Sequence, residues 1–328
     1  MTAGAAALGS GIARRDSAAD PVPLFVCGVA RSGTTFAAYL LNRHPRIRCT
    51  YEAAIFQDGL RIYEQARNPH TPQGFQKLIE RLAACDAGSQ AHPWLAKSLR
   101  AHVAELYRRH CAQPRFATIV QSVFTLAWPN LTCFANKLIR TEFCPLLLRE
   151  WPQARIVLLI RDPRAAYASQ RRHLGLRLKY AAIYWNLHVQ YALSCRHDGE
   201  RFLLVRFEDL MEAPAAQLAR ILAFADHNDP AIAAEIVAQV PPRREALGKW
   251  RHELSPTEVR TLEEYCYDGM RALGYAPEWA TGPRRITPAG RLLEVARQYA
   301  SRVPLSPHVW RRKRLVSRTW QMLRGVHG

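Results

Sequence analysis

Short apolar runs and stretches of helical spacing alternate along most of the chain. Residues 21–28, Pro-Val-Pro-Leu-Phe-Val-Cys-Gly, form an apolar run closing on glycine, the pattern of a buried strand. Residues 34–42 then carry helical spacing, stopped at His44-Pro45 because the residue before a proline is pushed out of helical geometry. Residues 56–112 read as helical, with breaks at Asn68-Pro69, Thr71-Pro72 and His92-Pro93. Residues 116–124 and 134–138 are short apolar runs and predict two more strands. Residues 154–160, Ala-Arg-Ile-Val-Leu-Leu-Ile, predict the central strand, and Asp162-Pro163 opens a helix with an acceptor at the N-cap and proline at the first helical position. Residues 180–195 have helical spacing, 201–207 predict a strand, and 214–224 and 255–273 predict helices. Strands alternating with helices predict an α/β fold: a central parallel sheet flanked by helices, three layers deep and P-loop-like. In such sheets ligands bind at the carboxyl ends of the strands.

The chain has 328 residues, 48% hydrophobic and 22% charged, enough to bury a large core and unlike a disordered, collagenous or disulfide-scaffold protein. The longest aliphatic run, residues 156–160, is far short of a membrane span. Residues 1–20 are Ala/Gly/Ser-rich, without a signal-peptide pattern, and predict a disordered tail. Charge changes the picture more: 46 basic against 27 acidic residues give +19, a field that attracts anions. More than half of it lies in residues 281–328, where eleven Arg and Lys face one acid, Glu294. Eight scattered cysteines without a C-x-x-C pair predict reduced, mostly buried thiols in the cytoplasm.

Four motifs carry candidate chemistry. Gly28-Val-Ala-Arg-Ser-Gly33-Thr34-Thr35 stands between a strand and a helix, where a phosphate cradle belongs: glycine lets backbone N–H groups approach an anion, and the helix N-terminus adds its positive end. Taken alone, the two glycines serve a plain strand–helix turn equally well. Thr34 stands where a P-loop nucleotidase has its lysine, and only Arg31 offers a cation inside the loop. Arg161 and Ser169 follow the predicted central strand and can hold a second phosphate by charge and hydroxyl. Glu52 is a candidate general base, although a lone loop glutamate is more often a solvated surface group, and Asn136-Lys137 points a cation at the same sheet edge. Gly248-Lys249-Trp250-Arg251 sets basic residues beside an aromatic ring that can close over a nucleotide.

In this order the pieces resemble the superfamily of sulfotransferases that use 3'-phosphoadenosine 5'-phosphosulfate (PAPS), from about Pro23 to Tyr275. Phe207-Glu-Asp-Leu210 with Pro214, then Leu273-Gly-Tyr275, complete the resemblance. The stretch from Gly28 to Glu52 is most similar to the Golgi-type and bacterial branch, which includes the tyrosylprotein and carbohydrate sulfotransferases. The resemblance implies that Arg31, Ser32, Gly33, Thr34 and Thr35 hold the 5'-phosphosulfate, and that Arg161, Ser169, Lys249 and Trp250 hold the 3'-phosphate end. It also implies Glu52 as the base, with Arg31 and Lys137 stabilising charge. No metal is expected, because the twelve histidines show no H-x-x-x-H spacing paired with acids. Two positions depart from the tyrosine-modifying pattern: Gly248 replaces a serine, and a further 3'-phosphate cation falls on His173, beside Arg171 and Arg172. The membrane anchor and paired cysteines of the tyrosine-modifying family are not recognisable, which argues against a secretory-pathway tyrosine-modifying enzyme.

The expected reaction is sulfuryl transfer from PAPS to the hydroxyl of a saccharide, glycolipid or small natural product, with residues 53–130 lining the acceptor site. Aromatic residues Tyr51, Phe56, Phe124 and Trp128 are candidates to stack on the acceptor or to pack the core. The alternatives are a protein-tyrosine sulfotransferase, a P-loop kinase, a catalytically dead relative, and a non-enzymatic polyanion-binding protein; specific nucleic-acid binding is not expected. Residues 281–328 predict a basic helical C-terminal extension beyond a catalytic domain at 21–280. Within it, 287–324 read as two helices broken at Pro304 and Pro307, the second placing Val316, Trp320 and Leu323 on one face. Such a segment either lies on an anionic membrane, packs on the domain, or draws in an anionic polymer.

Overall fold

A computed structural model describes residues 20–86, 93–195, 197–242, 245 and 247–300. Five strands form one sheet: β1 (Val22–Cys27), β2 (Ile47–Tyr51), β3 (Cys133–Leu138), β4 (Arg155–Ile160) and β5 (Phe202–Arg206). Every pairing is parallel and the order is β2-β3-β1-β4-β5. The central strand is therefore β1, with β4 beside it. The chain leaves β1 for one edge of the sheet and later returns to its other side, which opens a crevice at the carboxyl end of β1.

Alternation along the strands feeds two cores. Phe25 and Cys27 point to one face, where Phe56, Phe124, Phe134 and Trp151 pack, with the Phe124 and Phe134 ring centroids 5.1 Å apart. Leu24 and Val26 point to the other, onto Ala38, Leu41, Val157, Leu159 and Leu222. Both faces of the sheet are covered, as a parallel sheet requires.

Two expectations are corrected. Residues 116–124 belong to the helix Phe116–Ala127, not to a strand. Its buried positions Phe116, Ile119, Val120, Val123 and Phe124 repeat at helical spacing, and this face outweighs the β-branched composition. Conversely, Ile47–Tyr51 is a strand in a stretch for which the sequence predicts no element. It is an edge strand, pinned by Asn42, whose side chain donates to the Cys49 carbonyl and accepts from the Cys49 N–H, both at 2.8 Å.

The helix Pro288–Ala300 packs on the helix Leu178–Cys195. Buried Gln298 accepts from the Arg177 N–H at 2.7 Å, and buried Glu294 pairs with Arg177 at 3.7 Å and with Arg297 at 2.8 Å. The first part of the expected extension thus packs on the body of the protein. The expected tail up to residue 19 and the second basic helix lie outside the described residues. Among the described residues no helix is long and apolar enough to cross a membrane.

Candidate active site

The loop after β1 enters the helix Thr34–Leu41 through Gly33, at φ 88°. That left-handed conformation, and space, both demand glycine: a Cβ there would stand 2.3 Å from Phe207 Cδ2. Arg31 is also left-handed, at φ 71°. The Ser32 side chain is fully buried, and its hydroxyl has no hydrogen-bond partner among the described residues. No described side chain caps the helix, so its first N–H groups stay open for an anion.

The second arm comes from β4. Arg161, at its carboxyl end, donates to the Arg31 carbonyl at 3.0 Å and lies 4.3 Å from the Phe207 ring centroid. Burial pulls its pKa below the usual arginine value. Ser169, on the helix Pro163–Leu174, accepts from Arg31 Nε at 3.0 Å. Gln170 donates to the Ala30 carbonyl at 2.8 Å. The two predicted phosphate elements therefore form one bonded unit.

The third arm comes from β2 and β3. Glu52 follows β2 at φ 54°, and its N–H donates to the Lys137 carbonyl at 2.8 Å. The Lys137 ammonium, on an almost fully buried side chain, pairs with the Glu52 carboxylate. Asn136 fixes this turn from below: its amide oxygen accepts from Thr50 Oγ1 at 2.7 Å and from the Ala53 N–H at 3.2 Å.

These arms enclose a cavity of about 930 Å³. It is lined by Arg31, Gly33, Thr34, Thr35, Glu52, Lys137, Arg161, Ser169, Lys249 and Trp250, all expected from the sequence; Ser32 lies buried beneath it. Of the basic run 171–173, Arg172 lines the cavity, paired with Glu253, whereas Arg171 turns to Glu258 at 2.7 Å. Gly248 has φ 77°, so a backbone requirement accounts for glycine at the position expected to depart from the tyrosine-modifying pattern. Trp250 is only 4% exposed; it touches the cavity but is chiefly a buried anchor. None of the described residues between 53 and 130 lines this cavity, where the acceptor wall was expected. Phe56 and Phe124 are core residues, and Trp128 packs on Trp94 at 4.4 Å. Of the four expected aromatics only Tyr51 lines the cavity, where Phe36, Tyr39, Phe207 and Trp250 join it.

The remaining motifs prove to be supports. Glu208 accepts from the Asp162 N–H at 3.0 Å and from the Tyr275 hydroxyl at 2.7 Å, tying three distant segments together behind Arg161. Burial raises the pKa of both Glu208 and Tyr275. Sequence reasoning missed the acids Glu245 and Glu253 in the cavity wall. Neither belongs to a recognisable motif. Among the described residues there is no group of His, Cys, Asp and Glu able to hold a metal ion.

The sulfotransferase family profile covers residues 23–231. Carbohydrate sulfotransferase 6 of Homo sapiens is 24% identical over 335 aligned positions, covering 80% of this chain and 83% of that protein. Protein-tyrosine sulfotransferase A of Caenorhabditis elegans is 26% identical over 282, covering 77% and 67%. Among solved structures, the sulfotransferase domain of the Synechococcus PCC 7002 olefin synthase has a similar fold, with a TM-score of 0.51 at 20% identity, covering 78% of this chain and 96% of that one. The chain belongs to the sulfotransferase family.

Proposed function

We propose that the protein transfers a sulfuryl group from PAPS to the hydroxyl of a saccharide, glycolipid or small natural product. The observation that carries this reading is the single cavity that gathers the Gly33 loop, the Arg161–Ser169 arm and the Glu52–Lys137 pair. The unpartnered, buried Ser32 hydroxyl and the uncapped helix N-terminus fit an anionic donor held at the loop. Bound there, PAPS supplies the sulfuryl group and leaves as the adenosine bisphosphate.

Ser32, Gly33, Thr34 and Thr35 hold the 5'-phosphate through backbone N–H groups and hydroxyls. Arg161, Ser169 and Lys249 hold the 3'-phosphate, with Arg172 the further cation. Glu52 removes the proton of the acceptor hydroxyl. Arg31 and Lys137 stabilise the negative charge that grows at the loop, and being held in place beforehand they need little reorganisation.

Thermal unfolding tests the donor assignment. A ligand stabilises only as far as it prefers the native state, so 3'-phosphoadenosine 5'-phosphate should raise Tm far more than adenosine 5'-phosphate does. Arg161→Ala should erase most of that difference, a loss of roughly 1.5–3 kcal/mol for one charge-assisted contact. Equal shifts with both nucleotides in the wild type would sink the 3'-phosphate assignment.

We further infer that the protein works in the cytoplasm, at the inner face of an anionic membrane reached through residues 287–324. In support, Leu292 and Leu293 are 44% and 50% exposed on a helix that follows Arg284 and Arg285 and includes Arg291. Co-sedimentation with anionic vesicles, weakened by salt and by Leu292→Ser/Leu293→Ser, is the expected result. No partitioning, or partitioning insensitive to both, would refute it.

A further inference from the structure

We propose that Arg164 is a positioning residue for the donor site, acting through Trp250 on the loop that carries Lys249. The proposal rests on the reading of Lys249 as a 3'-phosphate ligand.

Arg164 lies one turn behind the Arg161 arm, and its side chain is 5% exposed. Its guanidinium meets two carboxylates at once. Nε donates to Asp162 Oδ1 at 3.0 Å, one terminal nitrogen to Asp162 Oδ2 at 2.6 Å, and the other to Glu263 Oε1 at 2.7 Å. Asp162 is thereby locked as N-cap of the helix Pro163–Leu174, accepting from the Arg164 N–H at 2.8 Å.

Glu263 is fully buried and also accepts three backbone N–H groups: Glu278 at 2.9 Å, Trp279 at 2.7 Å and Ala280 at 2.9 Å. A segment beyond the matched family region is thus fastened to the same guanidinium. The fastening brings Glu278 to within 3.8 Å of Arg164 and pairs it with Arg251.

Both arginines then converge on one indole. The Arg164 guanidinium stands 4.3 Å from the Trp250 ring centroid and that of Arg251 stands 4.4 Å from it. Cation–π contact inside a dry site is stronger than at an exposed one, and Trp250 is almost fully buried. Lys249 immediately precedes Trp250, follows left-handed Gly248 and lines the cavity. A lysine ammonium on four rotatable bonds is placed only as well as its backbone. Trp250 supplies that placement, and Arg164 supplies the placement of Trp250. Lysine at 164 keeps the charge but cannot bridge two carboxylates and stack on the indole together.

Calorimetric titration decides the matter, with 3'-phosphoadenosine 5'-phosphate and adenosine 5'-phosphate as paired probes. The proteins are the wild type, Lys249→Met, Arg164→Lys and Glu278→Gln. Glu278 is a partly exposed side chain, so its change should leave the fold intact even if Arg164→Lys does not fold. Arg164→Lys should lose about tenfold in affinity for the bisphosphate while affinity for the monophosphate moves by less than about threefold. Glu278→Gln should show the same selective loss at about threefold, and Lys249→Met added to either should cost less than it does in the wild type. Retention of full bisphosphate preference in Glu278→Gln, and in Arg164→Lys where it folds, with loss in Lys249→Met, overturns this proposal alone. So does equal weakening of both nucleotides, the mark of a general structural role. A wild type without preference, or a Lys249→Met variant that keeps it, overturns the Lys249 reading and this proposal with it.

Discussion

Arg31 Nε donates a 3.0 Å hydrogen bond to Ser169 Oγ, joining the loop after β1 to a helix 138 residues further along. Arg161 closes the circuit by donating to the Arg31 carbonyl at 3.0 Å. Each proposed phosphate subsite therefore holds part of the other. Groups in one hydrogen-bonded network are not additive on mutation. Ser169→Ala and Arg31→Ala, alone and together, should show an interaction energy of roughly 0.5–3 kcal/mol in binding of the adenosine bisphosphate. Additivity within error would mean that the subsites act independently.

Gly33 is constrained from two sides, by φ 88° and by the Phe207 ring that would lie 2.3 Å from a Cβ. Phe207 also lies 4.3 Å from the Arg161 guanidinium, so displacing it disturbs the neighbouring arm. Gly33→Ala should lower stability by roughly 1–3 kcal/mol and weaken bisphosphate binding in the same variant. Denaturant unfolding and titration of one preparation check both effects. An unchanged midpoint would show that the loop relaxes at no cost.

Two buried histidines should make stability fall toward acid pH. His44 and His188 are both pushed down to about 4, in each case chiefly by burial; His188 donates to the Leu159 carbonyl at 3.1 Å. Between pH 6.5 and about 4 the unfolded chain binds more protons at these sites than the folded one does. Stability should thus be full above pH 6.5 and fall as pH drops through that window, by up to roughly 3 kcal/mol per histidine. His188→Gln should flatten the pH dependence of unfolding free energy over that range, whatever its effect at neutral pH. An unaltered slope would remove His188 from the account.

The parts of this molecule visible in its sequence are those fixed by short-range rules. The glycine loop, the Asp162-Pro163 helix start and the hydrophobic β1 and β4 runs all declare themselves within ten residues. β2 did not, because two of its five positions are only partly buried and its anchor is the side chain of Asn42. The helix Phe116–Ala127 was hidden by β-branched residues whose helical period shows only in burial. Arg164 and Glu263 are 99 residues apart, and neither spacing nor composition marks them as partners. Phe207, Glu208 and Tyr275 were visible as parts of motifs, but their task of backing Arg161 emerged only from contacts across the fold.

Transfer itself gives the most direct test of the central claim. Labelled sulfate on PAPS, an extract of the source cells as acceptor, and mass spectrometry of the labelled product measure it for the wild type and for Glu52→Gln. The glutamine retains the size of the side chain and an acceptor oxygen for Lys137, so donor binding should stay nearly normal. Transfer at saturating donor should fall at least about a hundredfold, the lower bound for a lost general base. Near-normal transfer by Glu52→Gln, with chemistry limiting the rate, would contradict the account.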